Sequence, residues 1–135
     1  MRHLTEMKVR FGDTDMLGHV NNASYFTYME ESRIDFLAAL GLEQVPLILA
    51  SARVDFLAQT YFSDLLDVET FVSRIGNSSF DIVNRMYRSG GQDLVFEGVA
   101  VVVYFDYATQ RAALVPDDLR TQLQVYLEEH LPSRS

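Results

Sequence analysis

The chain has 135 residues, 48% of them hydrophobic and 22% charged, with a net charge of −8. That is one domain's worth of ordinary globular sequence, residues 1–135, and it excludes a disordered segment; 11 Lys and Arg against 19 acidic residues leave no basic footprint for nucleic acid. The absence of Cys excludes disulfides, thiolate metal ligands and a Cys nucleophile. No run approaches a membrane span and the N-terminus lacks a signal-peptide core, so the cytoplasm is the expected location.

"LTEMKVRFGD" sets Thr5, Met7, Val9 and Phe11 against charged neighbours, the period of a strand with one buried face. The polar stretch "GDTDMLGHVNN", residues 12–22, follows. Then "NNASYFTYMEESRIDFLAALG" changes period. Tyr25, Met29, Ser32, Phe36 and Leu40 fall on one helical stripe with Phe26, Ile34 and Leu37 beside it, Asn21 or Asn22 is the N-cap, and Gly41 is the stop. After a loop come strands in "ASARVDFLAQTYF", "DVETFVSRIG" and "SFDIVNRMYRSGG", with turns at "GNSS" and "SGGQD". "LVFEGVAVVVYFDY" is apolar on both faces, as an interior strand should be. Pro116 and Asp117 open a closing helix, "PDDLRTQLQVYLEEHL", with Leu119, Leu123, Tyr126, Leu127 and Leu131 in register. The order predicts an α+β domain: one long central helix wrapped by a curved antiparallel sheet of about five strands. Such a sheet has more edge than one helix covers, which predicts self-association.

The polar stretch admits three readings. As a calcium loop, "DTDMLG" fails at its fifth position, Leu17, and at its twelfth, Ser24. Asp13, Asp15 and His19 lack a second His nearby to complete another metal site, so no metal is expected. Turn and capping chemistry accounts for Gly18, Asn21, Asn22 and Asp13, and leaves Asp15 and His19 over. The third reading is chemical. A helix start polarises a carbonyl through its free N–H groups, and a carboxylate held beside it attacks that carbonyl or activates a water. Asp15 leading into Asn22 suits acyl transfer or hydrolysis.

These residues carry a family likeness. "RFGDTDMLGHVNNASYFTYMEESR", residues 10–33, resembles the signature of hotdog-fold acyl-CoA thioesterases of the 4-hydroxybenzoyl-CoA thioesterase type, and the later strands "VDFLAQTYFSDLLDVET" and "RIGNSSFDIVNRMYR" resemble the family more loosely. The resemblance implies a homodimer or homotetramer with active sites at the subunit interface. In that family the second Asp of the loop is the catalytic carboxylate, which Asp15 matches, and the polarising N–H falls at about Asn22. His19 matches a pocket position. Gly18, Val20, Asn21 and Tyr25 are the expected substrate-binding residues, Gly18 where backbone approaches substrate closely. Asp13 is expected to serve the turn. Glu30 and Arg33, spaced i, i+3, are expected to pair on the helix face, and Tyr25 also belongs to the packing stripe. Ser78 and Ser79 read first as a turn; His3 and His130 read as exposed and without role.

The expected activity is hydrolysis of acyl-CoA thioesters, with Asp15 as general base or as nucleophile. No cofactor is needed, because a thioester is already activated and coenzyme A is part of the substrate. An enoyl-thioester hydratase would carry D-x-x-x-x-H; Asp13 to His19 is one residue too long for that and Asp15 to His19 one too short. An acyl-carrier-protein thioesterase is the alternative suggested by "HVNN", although two acidic proteins repel each other. A non-catalytic acyl-CoA-binding hotdog is the alternative from another class, and the presence of Asp15 counts against it.

Overall fold

The computed structural model describes residues 1–90 and 93–128. Strand β1 (His3–Lys8) leads through the polar loop into helix α1 (Asn22–Ala39), which is followed by β2 (Leu47–Phe56), β3 (Leu65–Ile75), β4 (Ser79–Arg88), β5 (Leu94–Asp106), the two-residue β6 (Arg111–Ala112) and α2 (Asp117–Gln124). The named strands pair antiparallel throughout and the sheet order is β1-β3-β4-β5-β2, with β6 on the end of β5. This is the wrapped-helix α+β architecture expected of a hotdog. No described helix is long and apolar enough to cross a membrane.

Helix α1 begins and ends where its sequence dictates. The Asn21 carboxamide accepts the Ala23 N–H at 2.8 Å, the capping bond of an Asn before a helix. At the other end Gly41 takes φ +73 and its N–H reaches the Ala38 carbonyl, while the Leu42 N–H reaches the Leu37 carbonyl. That is the paired closure a left-handed residue makes possible. Tyr25, Tyr28, Met29, Ser32 and Phe36 are buried against the sheet, where they meet Leu66, Val68, Phe80, Ile82, Met86, Phe96 and Ala100 in one core. Gly98 lets the helix come close: a Cβ there would lie 2.8 Å from the Met29 sulfur.

The opposite face of the sheet holds a small cluster of Phe71, Val83 and Val99. Beside it Arg85 and Glu97, directly opposed on β4 and β5, form a buried ion pair with Nε 2.7 Å from Oε2. Arg2 stacks its guanidinium 4.2 Å over the Phe71 ring and bridges Glu69 and Glu128, so the first and last described turns of chain are joined.

Several expectations change. Phe26 and Ile34, beside the stripe, stay exposed on the flank of α1 that faces β2, with Phe26 against Phe56 and Ile34 in a groove with Leu47 and Leu49. Strand β2 starts at Leu47 and ends at Phe56, not at "ASARVDFLAQTYF": the Leu57 and Ala58 N–H groups both turn onto the Val95 carbonyl, ending the ladder, although the alternation continues in the sequence. Helix α2 stops at Gln124. The chain then turns to lay Leu127 beside Val72 as a parallel bridge, and Leu131 and His130 lie outside the described residues. His3 is not idle, since its Nε2 is 2.7 Å from Asp35 Oδ2 and its ring packs on Phe36. Strand β6 carries no sequence signal of its own.

Candidate active site

The polar stretch folds as a tight hairpin ahead of α1. The Asp15 N–H donates to the His19 carbonyl at 2.9 Å and the Gly18 N–H to the Asp15 carbonyl at 3.1 Å. Gly18, at φ +85, closes this three-residue loop. An added Cβ on Gly18 meets nothing within 4 Å, so within the chain the glycine answers to its backbone angle and not to crowding.

Asp15 belongs to this turn after all. Its Oδ1 accepts the Leu17 N–H at 2.8 Å, an Asx-turn that the sequence reading had not assigned to it. Its Oδ2 lies 3.1 Å from His19 Nδ1, at ion-pair distance but without hydrogen-bond alignment, and Nδ1 has no other partner among the described residues. One carboxylate oxygen is therefore fixed by backbone while the other faces an imidazole.

The hairpin is anchored on both sides. The Asp13 carbonyl accepts the Asn21 N–H at 2.8 Å and the Ser24 hydroxyl at 3.2 Å, and the Val20 N–H donates to the Thr60 carbonyl at 2.7 Å. The Asp13 carboxylate is structural: the Tyr28 hydroxyl donates to it at 2.6 Å and the Arg10 backbone N–H at 3.1 Å. Partial burial pushes the Asp13 pKa up, but these bonds outweigh it and hold the carboxyl below its ordinary range. Burial, then the Asp13 contact, pushes the Tyr28 phenol up. Tyr28→Phe should lower stability by about 1.5–3 kcal/mol near neutral pH, the range for a hydrogen bond to a charged group. A depressed carboxyl stabilises the fold above its unfolded pKa and loses that contribution as pH falls through the folded value. The gap between wild type and variant should therefore narrow in acid, as urea titrations at neutral and acidic pH would read.

At the start of α1 the N–H groups of Asn21, Ala23 and Ser24 are all taken. Among the described residues the Asn22 N–H has no acceptor, and it sits at the positive end of an 18-residue helix. Asn22 lines a cleft of about 230 Å³ together with His19, Val20, Tyr25, Phe56, Leu57, Ala58 and Gln59. Tyr25 is both packing and lining residue: its ring stacks on Phe96 at 5.3 Å, its hydroxyl lies 2.8 Å from Thr60 Oγ1, and burial pushes its phenol pKa up.

Of the expected site residues, His19, Val20, Asn22 and Tyr25 meet in this cleft. Asp15 does not line it and reaches it through His19; Gly18 and Asn21 shape the turn and cap the helix. Residues 56–59 were missed. They sit in the part of "VDFLAQTYF" that reads as continuing strand, and the signal that could have found them is Gln59 and Thr60, two polar residues breaking an apolar run. The Arg88 guanidinium donates to the Gln59 carbonyl and holds this segment against the cleft. Glu30 and Arg33 form no ion pair; Glu30 acts on Arg33 only as a nearby charge. Ser79 accepts from Arg74 at the β3–β4 turn and lies outside the cleft lining, as does Ser78.

Residues 9–123 match the thioesterase-like superfamily. The uncharacterized protein YsmA of Bacillus subtilis is 30% identical over 87% of this chain and 82% of its own. The long-chain acyl-CoA thioesterase FadM of Escherichia coli is 24% identical over 89% and 96%. Among solved structures, a predicted thioesterase from Bacillus stearothermophilus superposes with a TM-score of 0.86, 26% identity and coverage of 96% and 99%. A thioesterase from Thermus thermophilus, complexed with coenzyme A and Zn, gives a TM-score of 0.82, 28% identity and coverage of 96% and 95%.

Proposed function

Because the chain belongs to the thioesterase-like superfamily, we propose that it hydrolyses acyl-CoA thioesters to a free carboxylic acid and coenzyme A, using Asp15 and the start of α1. The class, thioester hydrolase, is the one that its relatives bear in their names. The observation that carries the finer reading is the unpaired N–H of Asn22, a residue that lines the cleft together with His19, whose Nδ1 lies 3.1 Å from Asp15.

The thioester carbonyl oxygen would accept the Asn22 N–H, so the charge it gains in the transition state meets a fixed donor and the helix dipole. On the general-base route, Asp15 takes a proton from water, the water oxygen bonds to the carbonyl carbon, and the C–S bond breaks. On the nucleophilic route an Asp15 oxygen bonds to that carbon first, and water then hydrolyses the anhydride. Either way coenzyme A leaves as the thiolate and takes up a proton. His19 lines the cleft with its Nδ1 3.1 Å from Asp15 Oδ2, which puts the carboxylate next to the site where the thioester would lie. A cytoplasmic location accords with a coenzyme A substrate.

The same reading makes the protein a homodimer, or a tetramer of two such dimers. Strand β2 ends the sheet, with β5 on one side and no strand on the other. Around this edge Phe26, Ile34, Leu49 and Phe56 are 46%, 57%, 48% and 42% exposed. Pairing two β2 edges would cover both the backbone groups and these side chains.

The test is thiol release from a panel of short, long and aromatic acyl-CoAs, with light scattering for the assembly. Turnover by a dimer or tetramer supports the proposal. Binding of acyl-CoA without turnover, or turnover of carrier-protein thioesters alone, overturns it.

A further inference from the structure

A second groove lies at the far end of α1, with about 280 Å³ walled by Ile34, Leu37, Val45, Leu47, Leu49 and Val102. Arg33 enters this apolar wall. Among the described arginines it alone is neither exposed nor hydrogen-bonded: Arg2, Arg10, Arg74, Arg85, Arg88 and Arg120 have partners, and Arg53 and Arg111 are exposed. Burial pushes its pKa down, with Glu30 opposing. A half-buried guanidinium without an acceptor is costly, and it is a ready donor to any oxygen brought into the groove. Glu30 and Glu43 also line the groove. Two carboxylates beside one guanidinium disfavour a third anion there, and together they suit a hydroxyl, which accepts from Arg33 and donates to a carboxylate.

Arg33 is eleven residues beyond Asn22, about 16 Å along the helix at ~1.5 Å per residue, so it stands well apart from the Asn22 amide of its own chain. In the dimer proposed above, antiparallel pairing about the middle of β2 turns one copy end for end against the other. The Leu47 end of one groove then adjoins the Phe56 end of the other copy's cleft. We propose that Arg33 is a specificity residue acting across this interface: the Arg33 groove of one copy receives the distal end of the acyl group whose thioester sits at Asn22 of the other, and it selects acyl groups bearing a hydroxyl there. The inference rests on the dimeric thioesterase reading.

The test compares kcat/KM for pairs of acyl-CoAs, plain and ω-hydroxylated, from short to medium chain length. Wild type should prefer the hydroxylated partner by about tenfold or more at one length. Arg33→Met should bring that ratio to about one through KM, with the plain substrate little changed, and Arg33→Lys should keep part of the preference. The lysine variant also serves if the methionine variant fails to fold. Mixed dimers of Asp15→Asn and Arg33→Met chains locate the residue. Each contains one site with an intact Asp15 facing the other chain's intact Arg33, so their preference ratio should be that of wild type. A ratio equal to that of Arg33→Met alone overturns action across the interface. An unchanged ratio in Arg33→Met, or equal loss on both substrates, overturns the specificity role while leaving thioester hydrolysis standing. No thioester turnover by wild type would instead defeat the underlying function.

Discussion

Asp15→Asn should lower kcat for thioester hydrolysis by at least ~10²-fold while leaving the protein folded and able to bind acyl-CoA. Asn is the informative replacement because of the hairpin. Its carboxamide oxygen can still accept the Leu17 N–H that Asp15 Oδ1 holds at 2.8 Å, so the Asx-turn and the path into α1 survive. What is lost is the charge that would take a proton from water or attack the carbonyl. A fall in kcat with KM nearly unchanged is the signature of an interaction made in the transition state alone. Asp15→Ala would remove turn and base together and could not separate them. Single turnover in ¹⁸O-water tests the nucleophilic route: label left on Asp15 requires an anhydride opened at the Asp15 carboxyl carbon, whereas label in the acid alone arises by the general base or by opening at the acyl carbon, and trapping the acyl-Asp15 anhydride with hydroxylamine separates those two. Full activity in Asp15→Asn would remove Asp15 from the chemistry.

Glu97→Leu should cost about 3–5 kcal/mol of stability, read as a lower denaturant midpoint. Arg85 is 9% exposed and Glu97 3% in their side chains, so both charges are largely out of water. Removing Glu97 leaves the Arg85 guanidinium buried without the carboxylate 2.7 Å away. The cost comes from that stranded charge more than from the lost attraction, because burying the pair itself carries a desolvation penalty of similar size. Arg85→Met combined with Glu97→Leu should therefore regain most of the loss. The pair lies on the face of the sheet away from α1, so activity per folded molecule should be unaffected. A double variant as unstable as the single one would show that the pair organises its surroundings beyond its own charges.

Much of the fold is legible because local signals agree with one another. Asn21, Gly41 and the apolar stripe between them define α1 to within a residue or two, and the strands from 65 to 106 announce themselves by composition and turns. The sequence misleads where tertiary context decides. Phe26 and Ile34 lie beside a helical stripe that a sheet could bury or leave open, and the pattern cannot say how far the sheet wraps. "LAQTYF" keeps strand periodicity although Leu57 and Ala58 leave the ladder for Val95. The site divides in the same way. His19, Asn22 and Tyr25 are local to the helix start, and the hairpin brings them together unaided. Phe56 to Gln59 arrive through the sheet, from more than thirty residues away. The double duty of Asp15, holding the turn and facing the imidazole, depends on angles that no spacing rule contains.

The Arg2 bridge to Glu69 and Glu128 has a consequence for how freely this chain could be rewired. Residues 2 and 128 meet through two charge-assisted bonds, so the two ends of the described chain are neighbours. A short linker from residue 128 to residue 2 in place of residues 129–135, with a new opening cut in the exposed turn at residues 107–110, would leave each paired strand and the hairpin before α1 intact. The architecture is closed in space even though the polymer is open, and which strand is synthesised first is a property of the gene more than of the fold.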